Sequence, residues 1–291
     1  MITIFSIPKA FEGSIDILQR NAIRSWIMFV PEAEIILFGH EKGVREFAES
    51  NGLRHFPDIK TNEFGTPLVS AAFSSAQQIA SNPVIMYINS DIILLSRIAE
   101  VLKSVKNEHF FVIGRRVDLD RNEGICFDDN MWPGKIMREA AQKGKLHGYS
   151  GIDYMIFKKN LPLNMPSFAV GRPGWDNWVL WRIKQSRIPI IDATRVITAI
   201  HQNHDYKHSR YGQKERVGGP ETIRNYQLAG GYKCMISIRE ADWLLTGNGL
   251  IRPPFMRRVF SFCARYELWQ FLVSIKRKVQ SFLDPLSGTG L

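Results

Sequence analysis

Residues 83–95 read PVIMYINSDIILL, and this stretch decides the fold. The unbroken apolar run at 84–88 is entered through Asn82-Pro83 and left through a polar triplet, which is the composition of a strand buried on both faces. Such a strand belongs in the middle of a parallel sheet. Asn89-Ser90-Asp91 then sets an amide, a hydroxyl and a carboxylate at its carboxyl end, the edge where open α/β sheets collect ligands. Oxygen donors there suit Mg2+ or Mn2+ on a diphosphate. A helix cap or a turn would draw on the same short polar residues.

Working outward, strands are expected at 2–7, 34–38 and 53–56, alternating with helices at 14–29, 42–50 and 68–80. The first helix repeats apolar residues at Ile15, Leu18, Ala22, Trp26 and Phe29 and must stop before Pro31; the second ends at Asn51-Gly52, a left-handed cap. Beyond the central stretch a helix is expected at 97–105, a strand at 109–114, a strand at 154–157, a helix at 179–184, strand-rich sequence at 188–200 and a helix at 221–228. Strand and helix alternate throughout. The fold class is therefore α/β, a mostly parallel central sheet flanked by helices. Between 117 and 148 the pattern weakens, and Asp118-Leu119-Asp120 and Asp128-Asp129 read as rival acidic pairs on imprecise loop platforms.

The chain has 291 residues, ample for one large α/β domain, and no apolar run approaches the roughly 18 residues of a membrane span. Its start is strand-like and lacks the pattern of a signal peptide. Cys126, Cys234 and Cys263 lie far apart and have no zinc-site spacing, so a reducing, cytoplasmic setting is expected. Net charge is +10, and residues 252–278 carry seven basic side chains against the single acid Glu267, more than half of that excess. There Val259, Phe262, Tyr266, Trp269 and Val273 recur at three- and four-residue steps. This amphipathic helix reads equally as a binder of an anionic membrane surface, on the inner face, or as a helix packed on the domain. The chain is thus divided into a domain at 1–245 and a basic helical extension at 246–291.

Four groups of residues carry chemistry. Arg115-Arg116, at the carboxyl end of a strand, read either as a bidentate phosphate clamp or as solvated charge. Gly151 reads as a point of close backbone approach to a ligand or as a turn. In Gly174-Trp175-Asp176-Asn177-Trp178, Asp176 reads as a helix cap, as a general base at a cleft where indoles stack on a sugar ring, or as both. His201, His204 and His208 fall within eight residues, a density suited to metal ligation. No P-loop or dinucleotide fingerprint is present.

Taken together, Asn89-Ser90-Asp91, Gly174-Trp175-Asp176-Asn177 and His201-Gln202-Asn203-His204-Asp205-Tyr206 resemble the nucleotide-sugar glycosyltransferases of the GT-A fold, over roughly residues 1–245. The resemblance implies transfer of a sugar from a nucleoside diphosphate sugar to a hydroxyl acceptor, glycan or lipid-linked, with Mn2+ or Mg2+ as cofactor. Carried over by position, Asn89 and Asp91 match the metal motif, Asp176 the base, and His204 or His201 the late metal ligand. Pro8, Lys9, Phe38 and Gly39 would border the nucleotide. The chain departs from the pattern in carrying Asn89 where the first aspartate of the motif would stand. Two other readings share some of these features. A sugar-phosphate nucleotidyltransferase would need a glycine-rich loop after the first strand, where Ile7-Pro8-Lys9-Ala10-Phe11 stands instead. A basic membrane- or nucleic-acid-binding module explains the charge but leaves Asp91, Asp176 and the histidines unexplained, and nucleic acid is not the expected partner.

Overall fold

In the computed structural model, residues 1–204, 218–231 and 234–257 are described. His208 and the amphipathic helix expected from Val259, with Cys263, lie outside them. A nine-stranded sheet forms the body of the compact unit Met1–Arg252. Its first half is built by β1 (Ile2–Ser6), α1 (Gly13–Phe29), β2 (Glu34–Phe38), α2 (Val44–Ser50), β3 (Arg54–Phe56), α3 (Val69–Ile79) and β4 (Val84–Ile88). These follow the expected strand–helix alternation. Strand β1 runs parallel to both β2 and β4, and β3 runs parallel to β2. All four strands therefore release their chains at one edge.

The second half adds α4 (Ile98–Leu102), β6 (Phe111–Ile113), β9 (Tyr154–Lys158), α6 (Trp175–Gln185), β10 (Ile190–Asp192), α7 (Pro220–Leu228), β12 (Trp243–Thr246) and β13 (Gly249–Ile251). Strand order is β13-β12-β10-β6-β9-β4-β1-β2-β3. Strand β9 is antiparallel to both β4 and β6, with Ile88 opposite Tyr154. Its first residues consequently arrive where β4 ends. The hairpin of β12 and β13 belongs to this sheet, so the compact unit runs past the expected boundary at 245 to Arg252.

Alternation along the strands explains how the sheet is covered. Ile85 and Tyr87 point to one face with Phe5, Phe38, Phe73 and Phe157, while Met86 and Ile88 point to the other with Ile4, Leu37, Trp26 and Ile156. These four β4 side chains are at most 2% exposed. Helices α3 and α6 cover the first face and α1 and α2 the second, which is why β4 reads as a continuous apolar run.

A second sheet has the order β5-β11-β7-β8, from β5 (Ile92–Leu94), β7 (Val117–Leu119), β8 (Lys145–Leu146) and β11 (Ala199–Gln202). It packs on α5 (Trp132–Lys143) through Ile93, Leu119, Trp132, Ile136 and Ile200. The weakly patterned stretch 117–148 thus holds two short strands and a helix around an irregular segment at 120–131. Asp118 sits on a strand, and α5 begins with Pro133 in its first turn, a favoured site for proline.

Tyr154, at the start of β9, carries a buried hydroxyl with no hydrogen-bond partner, and a Cβ on Gly114 would lie 2.0 Å from it. Leaving a buried hydroxyl unpaired costs on the order of 1–3 kcal/mol. Tyr154→Phe is therefore expected to raise stability by about 1 kcal/mol, read as a higher urea midpoint at unchanged m-value. A loss of that size would mean that the hydroxyl is satisfied.

Candidate functional site

The two sheets meet at the carboxyl end of β4. Strand β5 leaves that point antiparallel to β11, pairing Ile92 with His201, and β11 pairs His201 with Asp118 on the parallel β7. One register therefore draws Asp91, His201 and Asp118 together. The backbone of Asp91 is anchored: its carbonyl accepts from the Gln202 N–H at 3.3 Å and the Gln202 side-chain amide at 3.1 Å, and that amide also donates to the Leu18 carbonyl on α1. Trp26 donates its indole N–H to the Ile92 carbonyl at 2.8 Å.

The Asp91 carboxylate faces two imidazoles, with Oδ2 3.3 Å from His204 Nε2 and 3.6 Å from His201 Nε2. Burial alone would raise this carboxyl, but His201 foremost and His204 after it hold it well below the usual carboxylate range. Burial would likewise lower His201, and Asp91 outweighs it. The Nδ1–H of His201 donates to Asn203 Oδ1 at 3.1 Å with Asp118 Oδ1 at 3.7 Å, so Nε2 is the nitrogen left for Asp91. Asp91 Oδ1 is buried with no hydrogen-bond partner.

These residues fit a divalent cation. One ligand atom from each of Asp91, His201 and His204 lies within 4.8 Å of the others, and ligands about 2.1 Å from a cation sit roughly 3 Å apart in adjacent positions. The orphaned Oδ1 of Asp91 and two imidazole nitrogens that face Oδ2 of the same carboxylate supply the donors. Asn203 and Asp118 supply the outer support that fixes a ligating histidine.

Asn89 does not join them. Its amide N–H donates to Asp153 Oδ1 at 2.8 Å, and its Oδ1 accepts from the Tyr87 hydroxyl at 2.6 Å. One end of the amide thus ties the end of β4 to the start of β9, and the other is held by β4's own Tyr87. An aspartate here would face Asp153 with like charge, which gives a physical reason for the departure at this position.

Arg115 and Arg116, in the segment between β6 and β7, part company. Arg116, 9% exposed, donates from Nη1 to both oxygens of Asp153 at 2.6 Å and from Nε to Asp118 Oδ1 at 2.8 Å. It neutralises carboxylates rather than pairing with its neighbour as a clamp. Arg115 turns outward, donating from Nε to the His147 carbonyl at 2.6 Å. His147 Nδ1 donates in turn to Asp118 Oδ2 at 2.6 Å. Gly151 serves that imidazole: a Cβ there would come within 2.4 Å of the His147 ring. Asp153 and His147 are the residues that sequence reasoning missed, and Asp118 was read only as part of a rival acidic pair on a loop. The apolar–polar–apolar triplet Val117-Asp118-Leu119 was the available signal.

Asp176 lies in the first turn of α6, whose N-cap is Gly174 at φ +101°, so it is not the cap. The helix starts at Trp175, earlier than expected. Burial pushes the Asp176 carboxyl up to about 7; the backbone N–H groups of Asn177, Asp176 and Ile152 pull the other way, and Asp153 adds to the rise. Asp91, Asp153 and Asp176 all act on the buried Tyr87 hydroxyl, which burial foremost and then these charges raise. The three carboxyls therefore share one neighbourhood.

Other expected contacts resolve differently. Trp175 is 5% exposed, its indole edge-on to Phe73 and Tyr87, so it packs the core and presents no ring face for a sugar; Trp178 is likewise buried. Phe38 is also a core ring. The backbone of Gly39 is held by β3, its N–H on Phe56 and its carbonyl on His55 Nε2. Pro8 is buried, while the backbone of Lys9 is clasped by Gln19, whose Oε1 also accepts from Ser90 at 2.9 Å. The exit of β1 thus adjoins the Asn89-Ser90-Asp91 turn.

No protein-family model matches the chain, and no curated protein matches it by sequence. Among solved structures it is similar to GalNAc-T7 with UDP, GalNAc and Mn2+, at 15% identity and a TM-score of 0.51 over 79% of this chain and 48% of that one. The chain has the GT-A fold. It spans about half the length of GalNAc-T7. It also matches the mannosyltransferase PcManGT of Pyrobaculum calidifontis with GDP-Man and Mn2+, at 15% identity and TM-score 0.45 over 78% of this chain and 63% of that one. Glucosyl-3-phosphoglycerate synthase of Mycobacterium tuberculosis, with Mg2+ and UDP, matches at 11% identity and TM-score 0.45 over 80% of each chain. In this GT-A chain the Asp91–histidine group stands at the end of the central strand.

The raised Asp176 carboxyl has a consequence for stability. The folded protein keeps a proton that the unfolded chain sheds near pH 4, so stability falls as pH rises from about 4 through about 7. Asp176→Asn removes that loss. Its melting temperature should match wild type near pH 4 and exceed it by roughly 3–6 °C at pH 8, measured by calorimetry.

Proposed function

We propose that the protein is a nucleotide-sugar-dependent glycosyltransferase that moves a sugar from a nucleoside diphosphate to a hydroxyl acceptor by one inverting displacement. The observation that carries this reading is the meeting of Asp91 with His201 and His204 at the carboxyl end of β4, beside a carboxyl group that ionises near neutrality. The fold shared with GalNAc-T7, which was crystallised with UDP, GalNAc and Mn2+, supports a nucleotide and a divalent cation as the ligands.

Asp91 and the Nε2 atoms of His204 and His201 would hold Mn2+ or Mg2+. When bound, the cation supplies positive charge against the diphosphate. The chain's own residues do the rest. Asn203 and Asp118 keep the His201 ring turned so that Nε2 faces inward. Arg116 and Asn89 fix Asp153, which leaves Asp176 as the carboxylate of this group with no cationic partner among the described residues. Asp176 accepts the acceptor hydroxyl's proton as the oxygen attacks the anomeric carbon. The new carbon–oxygen bond forms as the bond to the diphosphate breaks, and the electron pair leaves on the nucleoside diphosphate. A base poised near pH 7 suits that proton transfer.

Asp91→Ala should abolish the Mn2+-dependent binding of UDP- and GDP-sugars measured by calorimetry while the circular dichroism spectrum stays that of wild type. Unchanged affinity would remove the metal role. Asp176→Asn should cut turnover by about 10²–10⁴ with donor affinity retained. Because the base must be ionised, wild-type turnover at saturating donor should climb as pH rises through about 7 and then level off; a flat profile from pH 5 to 8 would reassign the base.

A further inference from the structure

Helix α1 carries buried polar residues that its apolar stripe does not explain. Gln19, Asn21 and Ser25 are each at most 2% exposed, and Gln202 on β11 is fully buried beside Asn21. Buried amides are costly unless their donors and acceptors find partners. In the Asn21–Gln202 pair they do. Asn21 donates to the Glu123 carbonyl at 2.9 Å and to Gln202 Oε1 at 2.8 Å, and its Oδ1 accepts from the Ile125 N–H at 2.8 Å. Gln202 donates in turn to the Leu18 carbonyl at 2.9 Å and to the Asp91 carbonyl at 3.1 Å. Backbone carbonyls only accept and backbone N–H groups only donate, so each amide is held in one orientation.

The pair bears on the cation site through Asp91. His201 and Gln202 are successive residues of β11, and their side chains leave opposite faces of the strand. His201 Nε2 stands 3.6 Å from the Asp91 carboxylate, while Gln202 holds the Asp91 carbonyl from its side chain and, at 3.3 Å, from its own backbone N–H. One dipeptide therefore grips the aspartate at both its charged end and its backbone. That grip is anchored on α1 through Leu18 and Asn21, which lie three residues apart and so share a helix face. Asn21 also ties in the backbone of Glu123 and Ile125, within the irregular segment 120–131. Ser25 offers a comparison on the same helix. Its hydroxyl accepts from the Leu94 N–H at 2.9 Å and donates to the Ala22 carbonyl at 2.6 Å, so it holds the end of β5 away from Asp91.

We propose that Asn21 and Gln202 are positioning residues for the cation site, acting through Asp91 to fix its carboxylate at the separation from His201 that a divalent cation requires. A fully satisfied buried network is rigid, and rigid support of ligating side chains is what sets metal affinity. The inference rests on the reading of Asp91, His201 and His204 as cation ligands.

The test uses the full chain and the variants Gln202→Met, Asn21→Ser and Ser25→Ala. Binding of Mn2+ without nucleotide is followed by the electron paramagnetic resonance signal of the free ion, at a temperature where circular dichroism shows each variant folded. Gln202→Met keeps the length of the side chain and loses its hydrogen bonds; it should weaken Mn2+ binding by about ten-fold, and Asn21→Ser by a smaller factor. Ser25→Ala loses a buried hydrogen bond on the same helix and should bind Mn2+ as wild type does. A second measurement needs no metal. Asp91→Asn is made in each background, and the shift it causes in the urea midpoint should shrink by about half beside Gln202→Met and keep its full size beside Ser25→Ala. Where Gln202→Met does not fold, Asn21→Ser carries both measurements. Unchanged Mn2+ affinity in Gln202→Met, or an equal loss in Ser25→Ala, would overturn the positioning role. Failure of wild type to bind Mn2+ would strike the cation reading alone. The metal-free midpoints then decide, and a full-sized Asp91→Asn shift beside Gln202→Met would overturn the role.

Discussion

The site depends on holding an ionised carboxylate at the dry end of a buried strand. Asp91 follows four side chains that are almost completely enclosed, and a lone carboxylate there would take up a proton rather than stay charged. Two imidazoles from another sheet hold it ionised. The small sheet exists, in energetic terms, to deliver them: its β5 and β11 pair so that His201 stands opposite the residue after Asp91, and its packing on α5 fixes that register. A slip of one residue would turn His201 away to the other face.

The same site sorts its remaining acids by their partners. Asp118 and Asp153 share the guanidinium of Arg116, with His147 and Asn89 completing their hydrogen bonds, and they serve as supports. Asp176 has no such cation among the described residues and rises to about 7. Carboxyls within one neighbourhood thereby acquire different tasks, one charged at all physiological pH values and one able to exchange a proton, because their environments push them apart.

Much of this was legible in the sequence, for identifiable reasons. The run 84–88 declared a doubly covered strand because alternate residues feed two separate cores, while Asn89-Ser90-Asp91 read as a ligand edge or a turn, and in the structure Asn89 and Ser90 make structural hydrogen bonds and Asp91 faces two imidazoles. What failed were inferences that needed a side chain's direction. Trp175 read as a stacking surface for a sugar and Phe38 as a border of the nucleotide, but both face the core, and Arg115-Arg116, read as a clamp or as solvated charge, send their guanidiniums to different partners. Asp153 was hidden because its role comes from β9 running antiparallel, a pairing that no local pattern announces. Asp118 was read as one of a rival acidic pair on a loop, and its strand was hidden because three residues are too few to show periodicity against a polar background.

The central claim is that Asp91 and the imidazoles facing it hold a divalent cation on the donor's diphosphate. Crystals grown with Mn2+ and UDP, with anomalous scattering recorded at the manganese edge, test it most directly. A peak about 2.2 Å from an Asp91 carboxylate oxygen and from Nε2 of His204 or His201, in contact with the diphosphate, is the predicted result. UDP bound with no manganese beside Asp91, or manganese held by other residues, would contradict it.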